Sequence, residues 1–541
     1  MLAFRSALCY NKSMKNDVCT AELATENATL KSKVFELEAL VKYYEEQFRL
    51  AKHRQFGVSS EKSEYDFGQL CLFNEAELFS DPQAAEPELA AATKRFRERT
   101  RLTTDKLPED LPVEVVEHTL PEAERICPAC GGELHVMGTE IRRELVIIPA
   151  QVTIREHRRA VYACRNCEQT ACTVPVVKAA MPEPVIRGSF ASPEAIAQIV
   201  TQKFVMGTPL YRQEQEWNRQ GIALSRQTMS NWLLKVAENW LEPMYELLHR
   251  QLCCHEVLHA DETTLQVLHE PGKTAQSKSY MWLYRTSGDA SAPIVLYDYQ
   301  PDRRTKRPEK FLQGFTGYLH TDGYDGYHRL PAGMTVVGCW AHQRRKFDEA
   351  LKALPAEARA SSLAMVGKRY CDRLFELERS FADLSSEKRQ EARIKVSKPE
   401  MEAYFAWANS CNALPKSPLG KAIYYAHSQH KYLERYLLDG RLEISNNRAE
   451  RSIKPFVIGR KNFLFANTPR GAKASAILYS LVETAKENNL NPYEYLVLLF
   501  RNLPNSPQER WADFLPTGCG IPDSCRCPKP KTKDCAWEED E

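Results

Sequence analysis

Three carboxylates far apart in the chain have the residue types and local settings for metal-assisted chemistry. Asp261 follows the apolar run Val257-Leu258-His259-Ala260, and Asp322 follows Gly317-Tyr318-Leu319-His320-Thr321, so each is expected where a strand ends. Two neighbouring strands that end in Asp bring their carboxylates within a few ångströms; like charges that close repel, and divalent cations relieve the repulsion. Glu450, in EISNNRAERSIKPF, follows Ser445, Asn446 and Asn447, which are good N-cap residues. A short helix is therefore expected to start there and to end or kink at Pro455. Hard oxygen ligands with open water positions favour magnesium or manganese over zinc. Two such ions about 4 Å apart activate an attacking water or 3′-hydroxyl and stabilise a leaving 3′-oxygen. Each residue alone has an ordinary alternative, the strand-end Asp as a turn former and the Glu beside Arg448 and Arg451 as a solvated ion-pair partner, and spacing does not decide between them.

A second set of ligand types lies upstream. Cys127-Pro-Ala-Cys130 is followed after 33 residues by Cys164-Arg-Asn-Cys167. Thiolates paired through two intervening residues each fill two corners of a tetrahedron, so the spacing suits a structural zinc ribbon, with a β-hairpin between the knuckles built from segments such as Leu145-Val-Ile-Ile and Val152-Thr-Ile. Unpaired thiols and a redox dithiol are the competing readings, although a dithiol needs only one pair. His135, His157 and Cys172 lie nearby without fitting the pattern.

The elements that must position these groups divide 541 residues into several domains, more than one hydrophobic core organises. Residues 1–19 form an N-terminal tail. A heptad in 20–56 places Leu23, Leu30, Leu37 and Tyr44 at one core position and Asn27, Val34, Val41 and Phe48 at the other, a short coiled coil that would pair subunits, with an amphipathic helix packed on its own protein as the alternative. The polar, acidic stretch 57–112 reads as linker, 113–180 as the zinc ribbon and 181–248 as helical. In the helical stretch, Leu210 to Gln220 precedes Gly221, and Ser225 caps SRQTMSNWLLKVAENWL, whose apolar face carries Met229, Trp232, Leu233 and Val236. This fits a helix-turn-helix with Arg226, Gln227, Ser230 and Asn231 facing a major groove, and equally a plain αα-hairpin. Strands dominate 249–345 and return with Glu450 in 441–503; the 127 residues between Asp322 and Glu450 require a helical insertion, placed at 346–440. A strand Asp, a second strand Asp and a helix Glu form the metal-binding set of the ribonuclease-H-like fold, so the fold class is multidomain α+β with a ribonuclease-H-like α/β catalytic domain. Residues 504–541 are read as a C-terminal tail.

HADETTLQVL around Asp261, TDGYDGYHRL around Asp322, GCWAHQRRKF at 338–347 and NNRAERSIKPFVIGRKNFLF around Glu450 closely resemble the IS66 family of insertion-sequence transposases. The resemblance continues through PRGAKASAILYSLVETAKENNLNPYEYL and covers FGVSSEK at 56–62, the cysteine knuckles and the paired helices, in the family's order. It implies an Asp-Asp-Glu transposase of a bacterial insertion sequence, cytoplasmic, with Asp261, Asp322 and Glu450 holding two Mg2+ or Mn2+ ions and structural Zn2+ on the four cysteines. Expected partners are double-stranded DNA at the terminal inverted repeats and the target, a second copy of the chain, and small accessory proteins of the same element. Val58 stands where the family has Arg, and the ending with Cys519, Cys525, Cys527 and Cys535 is unlike the family's.

The overall balance of 73 Lys and Arg against 71 Asp and Glu excludes a wholly basic nucleic-acid binder, so DNA contact must be local. Between 441 and 473, Arg441, Arg448, Arg451, Lys454, Arg460, Lys461, Arg470 and Lys473 face only Glu443 and Glu450. With Arg344 and Arg345 they are expected to hold scissile-strand phosphates. PDRRTKRPEK at 301–310 offers a second patch, and Phe463 or Phe465 a stacking surface. His342 is an accessory proton-transfer or phosphate-binding group, or a structural histidine. No signal peptide or membrane span is expected. A catalytically inert DNA-binding regulator and a magnesium nuclease without strand transfer are the alternative functions.

Overall fold

The computed structural model describes residues 152–163 and 176–528, together with part of 29–49. Cys127, Cys130, Cys164 and Cys167, and the seam residues Leu23 and Asn27, lie outside the described residues. The chain forms two compact units, residues 60–181 and the remainder. In the smaller unit, β1 (Val161–Ala163) pairs antiparallel with β2 (Val176–Lys178), extended by Ala179 N to Ala160 O at 3.0 Å. Val152-Thr-Ile lies in no strand and Ile154 is almost wholly exposed, while Leu145-Val-Ile-Ile, the other segment of the expected hairpin, lies outside the described residues.

The larger unit is organised on a five-stranded sheet in the order β5-β4-β3-β6-β7, comprising β3 (Val257–Gln266), β4 (Lys278–Thr286), β5 (Val295–Gln300), β6 (Gly317–His320) and β7 (Met334–Val337). β3, β4 and β5 are antiparallel, and β6 and β7 run parallel to β3. β4 reads as a nearly continuous apolar run because both of its faces are covered.

Ahead of the sheet come α1 (Pro193–Phe204), α2 (Leu210–Arg219) and α3 (Arg226–Val236). Ser192 and Ser225 cap α1 and α3 by accepting from the Ala195 and Thr228 amides, and Gly221 takes a positive φ of 77° in the turn between α2 and α3. The expected face of α3 is buried, at Met229, Trp232, Leu233 and Val236. Its far end does not stop. A π-helical turn, Ala237–Leu241, carries it directly into α4 (Glu242–Leu252).

After the short α5 (Lys306–Phe311) and the last two strands, the helical insertion builds a second core. It comprises α6 (Trp340–Lys352), α7 (Ala356–Arg359), α8 (Leu363–Ser380), α9 (Ser386–Ala392), α10 (Lys398–Ser410) and α11 (Pro418–Leu433). Trp340, Phe347, Tyr404 and Phe405 pack together at its centre. Arg393, 1% exposed, ties the insertion's end down: it donates to the Tyr436, Asp439 and Leu442 carbonyls and pairs with Glu378.

The chain then returns to the sheet with α12 (Asn447–Phe463), α13 (Pro469–Glu487) and α14 (Pro492–Asn502). α12 begins where the N-cap residues put it but corrects the expected short helix, because it runs straight through Pro455. Phe456 lies against Tyr297 and Tyr479, and burial of Ile453, Phe456 and Gly459 outweighs the lost amide hydrogen bond. α13 is buried almost all round, and its Ser480 and Thr484 hydroxyls accept from the Tyr297 and Val295 amides of edge strand β5. At the opposite edge Arg435 donates to Val336 O of β7, at 2.7 Å. The expected C-terminal tail is also corrected: Trp511, Phe514, Leu515, Ile521 and Cys525 join the core, and Cys527 N donates to Asn489 O. The described helix within 29–49 exposes its seam residues Leu30, Val34, Leu37, Val41, Tyr44 and Phe48.

Candidate active site

Parallel pairing of β3 with β6 matches His259 with His320. Asp261 and Asp322 each follow two residues later, so the register leads to the two aspartates at the same level of adjacent chain segments. Asp322 lies just beyond β6, in the turn at Gly323, with Oδ1 accepting from Tyr324 N at 2.9 Å. Asp261 does not end its strand as expected. β3 continues to Gln266 because Leu265 is buried and the pairing with β4 extends to Lys278. Burial pushes the Asp261 carboxyl well above the usual carboxylate range, and the charges of Glu262, Asp322 and Glu450 push it further. Asp261 therefore lies within electrostatic reach of both other expected carboxylates, Glu450 being 189 positions further along the chain.

Glu450 stands in the first turn of α12, and the start of that helix is clasped to β3. Asn446, wholly buried, does not use its side chain as a cap; its Nδ2 donates to Ala260 O at 2.8 Å, and its Oδ1 accepts from His259 Nδ1 at 3.0 Å. His259 stacks on His320, centroids 4.5 Å apart, and His320 Nε2 accepts from Glu443 N. Burial lowers the His259 pKa to about 3 and that of His320 well below the usual imidazole value, so both rings are neutral. Sequence reasoning passed over these histidines, yet a signal was present: His259-Ala-Asp261 and His320-Thr-Asp322 repeat the same spacing on the two strands.

Around Glu450, Arg345 donates to Oε2 at 3.1 Å, and His342 Nδ1 stands 3.6 Å from Oε1, too far for a hydrogen bond. Both Oε1 and that nitrogen are buried without a hydrogen-bond partner. Donor atoms of Cys339, His342 and Glu450 lie within 4.8 Å of one another, a mixed soft and hard set. Cys339 is poorly suited as a metal ligand, however: burial pushes its thiol up to about 12, and its sulfur already accepts from Asn446 N at 3.1 Å. The unpartnered Oε1 of Glu450 instead fits a hard divalent cation, although among the described residues Asp261 and Asp322 do not join it in a cluster with all donor atoms within 4.8 Å of one another.

Glu262, next to Asp261, is held by Arg303 and by Tyr327 Oη at 2.6 Å, which makes it a buried brace. Arg303 and Arg307, which pairs with Asp302, thereby withdraw much of the basic patch expected at 301–310. Several expected phosphate contacts are likewise paired within the chain: Arg344 with Asp372, Arg448 with Glu443, Arg470 with Glu238 and Lys473 with Glu242. Arg460 reaches Thr263 and Thr264 of β3. Arg451 and Lys454 make no ion pair among the described residues, and Lys461 is exposed. On α3, Arg226, Gln227 and Asn231 are exposed and Ser230 is partly so; the Arg226 amide donates to Glu214, and Gln227 bonds Asn231. Phe463 is covered by Lys203, whose ammonium lies 3.6 Å from the ring centroid, while Phe465 is exposed. No helix among the described residues is long and apolar enough to cross a membrane.

Comparison with known proteins matches residues 188–474 to the transposase IS66 family, 124–168 to the zinc-finger binding domain of transposase IS66, 43–116 to the transposase C of IS166 homeodomain, and 480–517 to the IS66 C-terminal element. The zinc-finger match contains all four paired cysteines, which supports structural zinc. Similar proteins include three uncharacterized proteins of Sinorhizobium fredii. The protein y4hP is 30% identical over 81% of each chain; y4jD is 31% identical over 76% of this chain and 80% of its own; y4qI is 32% identical over 71% and 70%. With the family match spanning both strand aspartates, the helix glutamate and the insertion between them, the chain belongs to the IS66 transposase family.

Proposed function

We propose that the protein is the DNA transposase of a bacterial insertion sequence, acting in the cytoplasm, that binds the element's terminal inverted repeats and catalyses metal-dependent strand cleavage and strand transfer at Asp261, Asp322 and Glu450. The observation that supports this reading is the register of β3 on β6, which leads to Asp261 and Asp322 on adjacent segments, together with the Asn446 clasp that ties the start of Glu450's helix to β3. The sheet order, with three antiparallel strands followed by two parallel ones, supports a ribonuclease-H-like catalytic domain. Two Mg2+ or Mn2+ ions bound there would activate the nucleophile and stabilise the leaving 3′-oxygen. The three side chains would hold the ions, and the contacts of Glu262 and Asn446 would steady the segments that carry them. Arg451, Lys454 and Lys461 on α12 offer cations for strand phosphates. The zinc ribbon and the α2–α3 pair, read as a helix-turn-helix, would engage the repeats. The exposed apolar seam in 29–49 supports self-association through a coiled coil, and accessory proteins of the element would join the assembly.

The test is cleavage and joining of DNA carrying the element's ends, with magnesium present. Asp261→Asn should abolish both while leaving end binding intact; retained cleavage would overturn the triad. Supplying ends already cut, with free 3′-hydroxyls, separates a transposase from a simple nuclease, because only the former joins them to target DNA.

A further inference from the structure

The insertion's last helix, α11, contains no Asp or Glu in PLGKAIYYAHSQHKYL. Its inner face packs Ala422, Ala426, Gln429 and Leu433 into the fold, and beside that face Tyr425 Oη donates to the Asp322 carbonyl at 2.9 Å. A methyl group on Gly323, where φ is +93°, would meet both Tyr425 and Gln429, so the helix sits directly on the turn that presents the second aspartate.

The outer face carries Lys421, Tyr424, Ser428 and Lys431 at i, i+3, i+7 and i+10, one stripe of a helix, flanked by His427; all are exposed. The stripe lies about a quarter turn around the helix from Tyr425 and is about 15 Å long. Tyr424 is 73% exposed and has no ring partner among the described residues. Neither lysine makes an ion pair among those residues, unlike Arg344, Arg448 and Arg470. A cationic stripe without acids complements a polyanion, and an uncovered aromatic ring set between its lysines suits a base.

We propose that this stripe is a strand-binding surface for the DNA leading to the cut: Lys421 and Lys431 neutralise phosphates, and Tyr424 stacks on an unpaired base. The proposal rests on the transposase reading and adds residues outside the carboxylate site and the basic segment 441–473.

The experiment uses the full chain, with fluorescence anisotropy on two DNAs bearing the element's end, one fully paired and one with unpaired bases at the cleavage position, across a salt series. The double variant Lys421→Ala/Lys431→Ala should flatten the plot of log affinity against log salt by about 0.9 for each phosphate that is no longer neutralised. Tyr424→Ala should weaken binding to the unpaired DNA about tenfold and to the paired DNA little, with Tyr424→Phe restoring it. If wild type binds and cuts while these variants keep its slope and affinities, the stripe is only solvated surface and the proposal fails alone. If wild type neither binds nor cuts the ends, the transposase reading falls and takes the proposal with it.

Discussion

In the sheet, neutral contacts tie the two aspartate strands to their surroundings: Asn446 bridges α12 to β3, and His259 of β3 stacks on His320 of β6. In the insertion the comparable role falls to one cation, Arg393, which gathers three carbonyls and Glu378. The difference follows from what each region must surround. Around the carboxylates the neutral contacts work beside two cations that pair with acids, Arg303 with Glu262 and Arg345 with Glu450, whereas the insertion's closing loop is fixed by one buried arginine that also gathers main-chain carbonyls.

The largest effect should come from breaking the insertion's hub. Arg393→Met leaves Glu378 and three carbonyls without their donor and should cost about 3–5 kcal/mol; hydrogen exchange should show protection lost across 363–442 before β3 and β4 are affected. Equal loss in both regions would mean that the two cores unfold as one. Next, Asn446→Ala strands a carbonyl and an imidazole N–H and should cost about 2–4 kcal/mol by urea denaturation. It also frees the start of α12, so magnesium-dependent cleavage should drop by more than the stability loss explains.

Acid should separate the regions less sharply. His259 and His320 titrate below their usual 6.5 in the native protein, so the unfolded chain takes up protons that the native chain refuses as pH falls from 6.5 toward 3. Stability should therefore be full above 6.5 and decline below it, by at most about 1.4 kcal/mol per pH unit for each ring. His342, whose pKa burial also lowers, lies in α6, so exchange protection should outlast that of the sheet across α8 to α11, where no histidine is buried among the described residues. A flat urea midpoint over that window would mean that the rings are not held neutral. The smallest effect is local: Ser417 caps α11 by accepting from Gly420 N, and Ser417→Ala should cost about 1 kcal/mol, confined to the insertion.

Much of this was legible from residues whose neighbours in sequence are also their neighbours in space. The runs at 257–263, 280–284 and 317–321 became β3, β4 and β6, the serines at 192 and 225 stand at helix starts, and the face of α3 was read correctly. What escaped depends on distant partners. β3 outruns Asp261 because β4 supplies a mate out to Lys278, and α12 passes Pro455 because Tyr297 and Tyr479 receive Phe456. β7 is four residues long and owes its existence to β6. Within the site, the acidic residues could be named singly, but Asn446 as a clasp rather than a cap required knowing that Ala260 waits across the interface. The basic segment was overread for a similar reason, since charge in sequence does not reveal that Glu238, Glu242 and Glu443 already occupy three of its cations.

Both borders of the sheet are already occupied. Ser480 and Thr484 meet the main chain of β5, and Arg435 meets that of β7. Open borders invite strands from other molecules to add on and polymerise. Copies of the chain can therefore be crowded together without their sheets templating fibres.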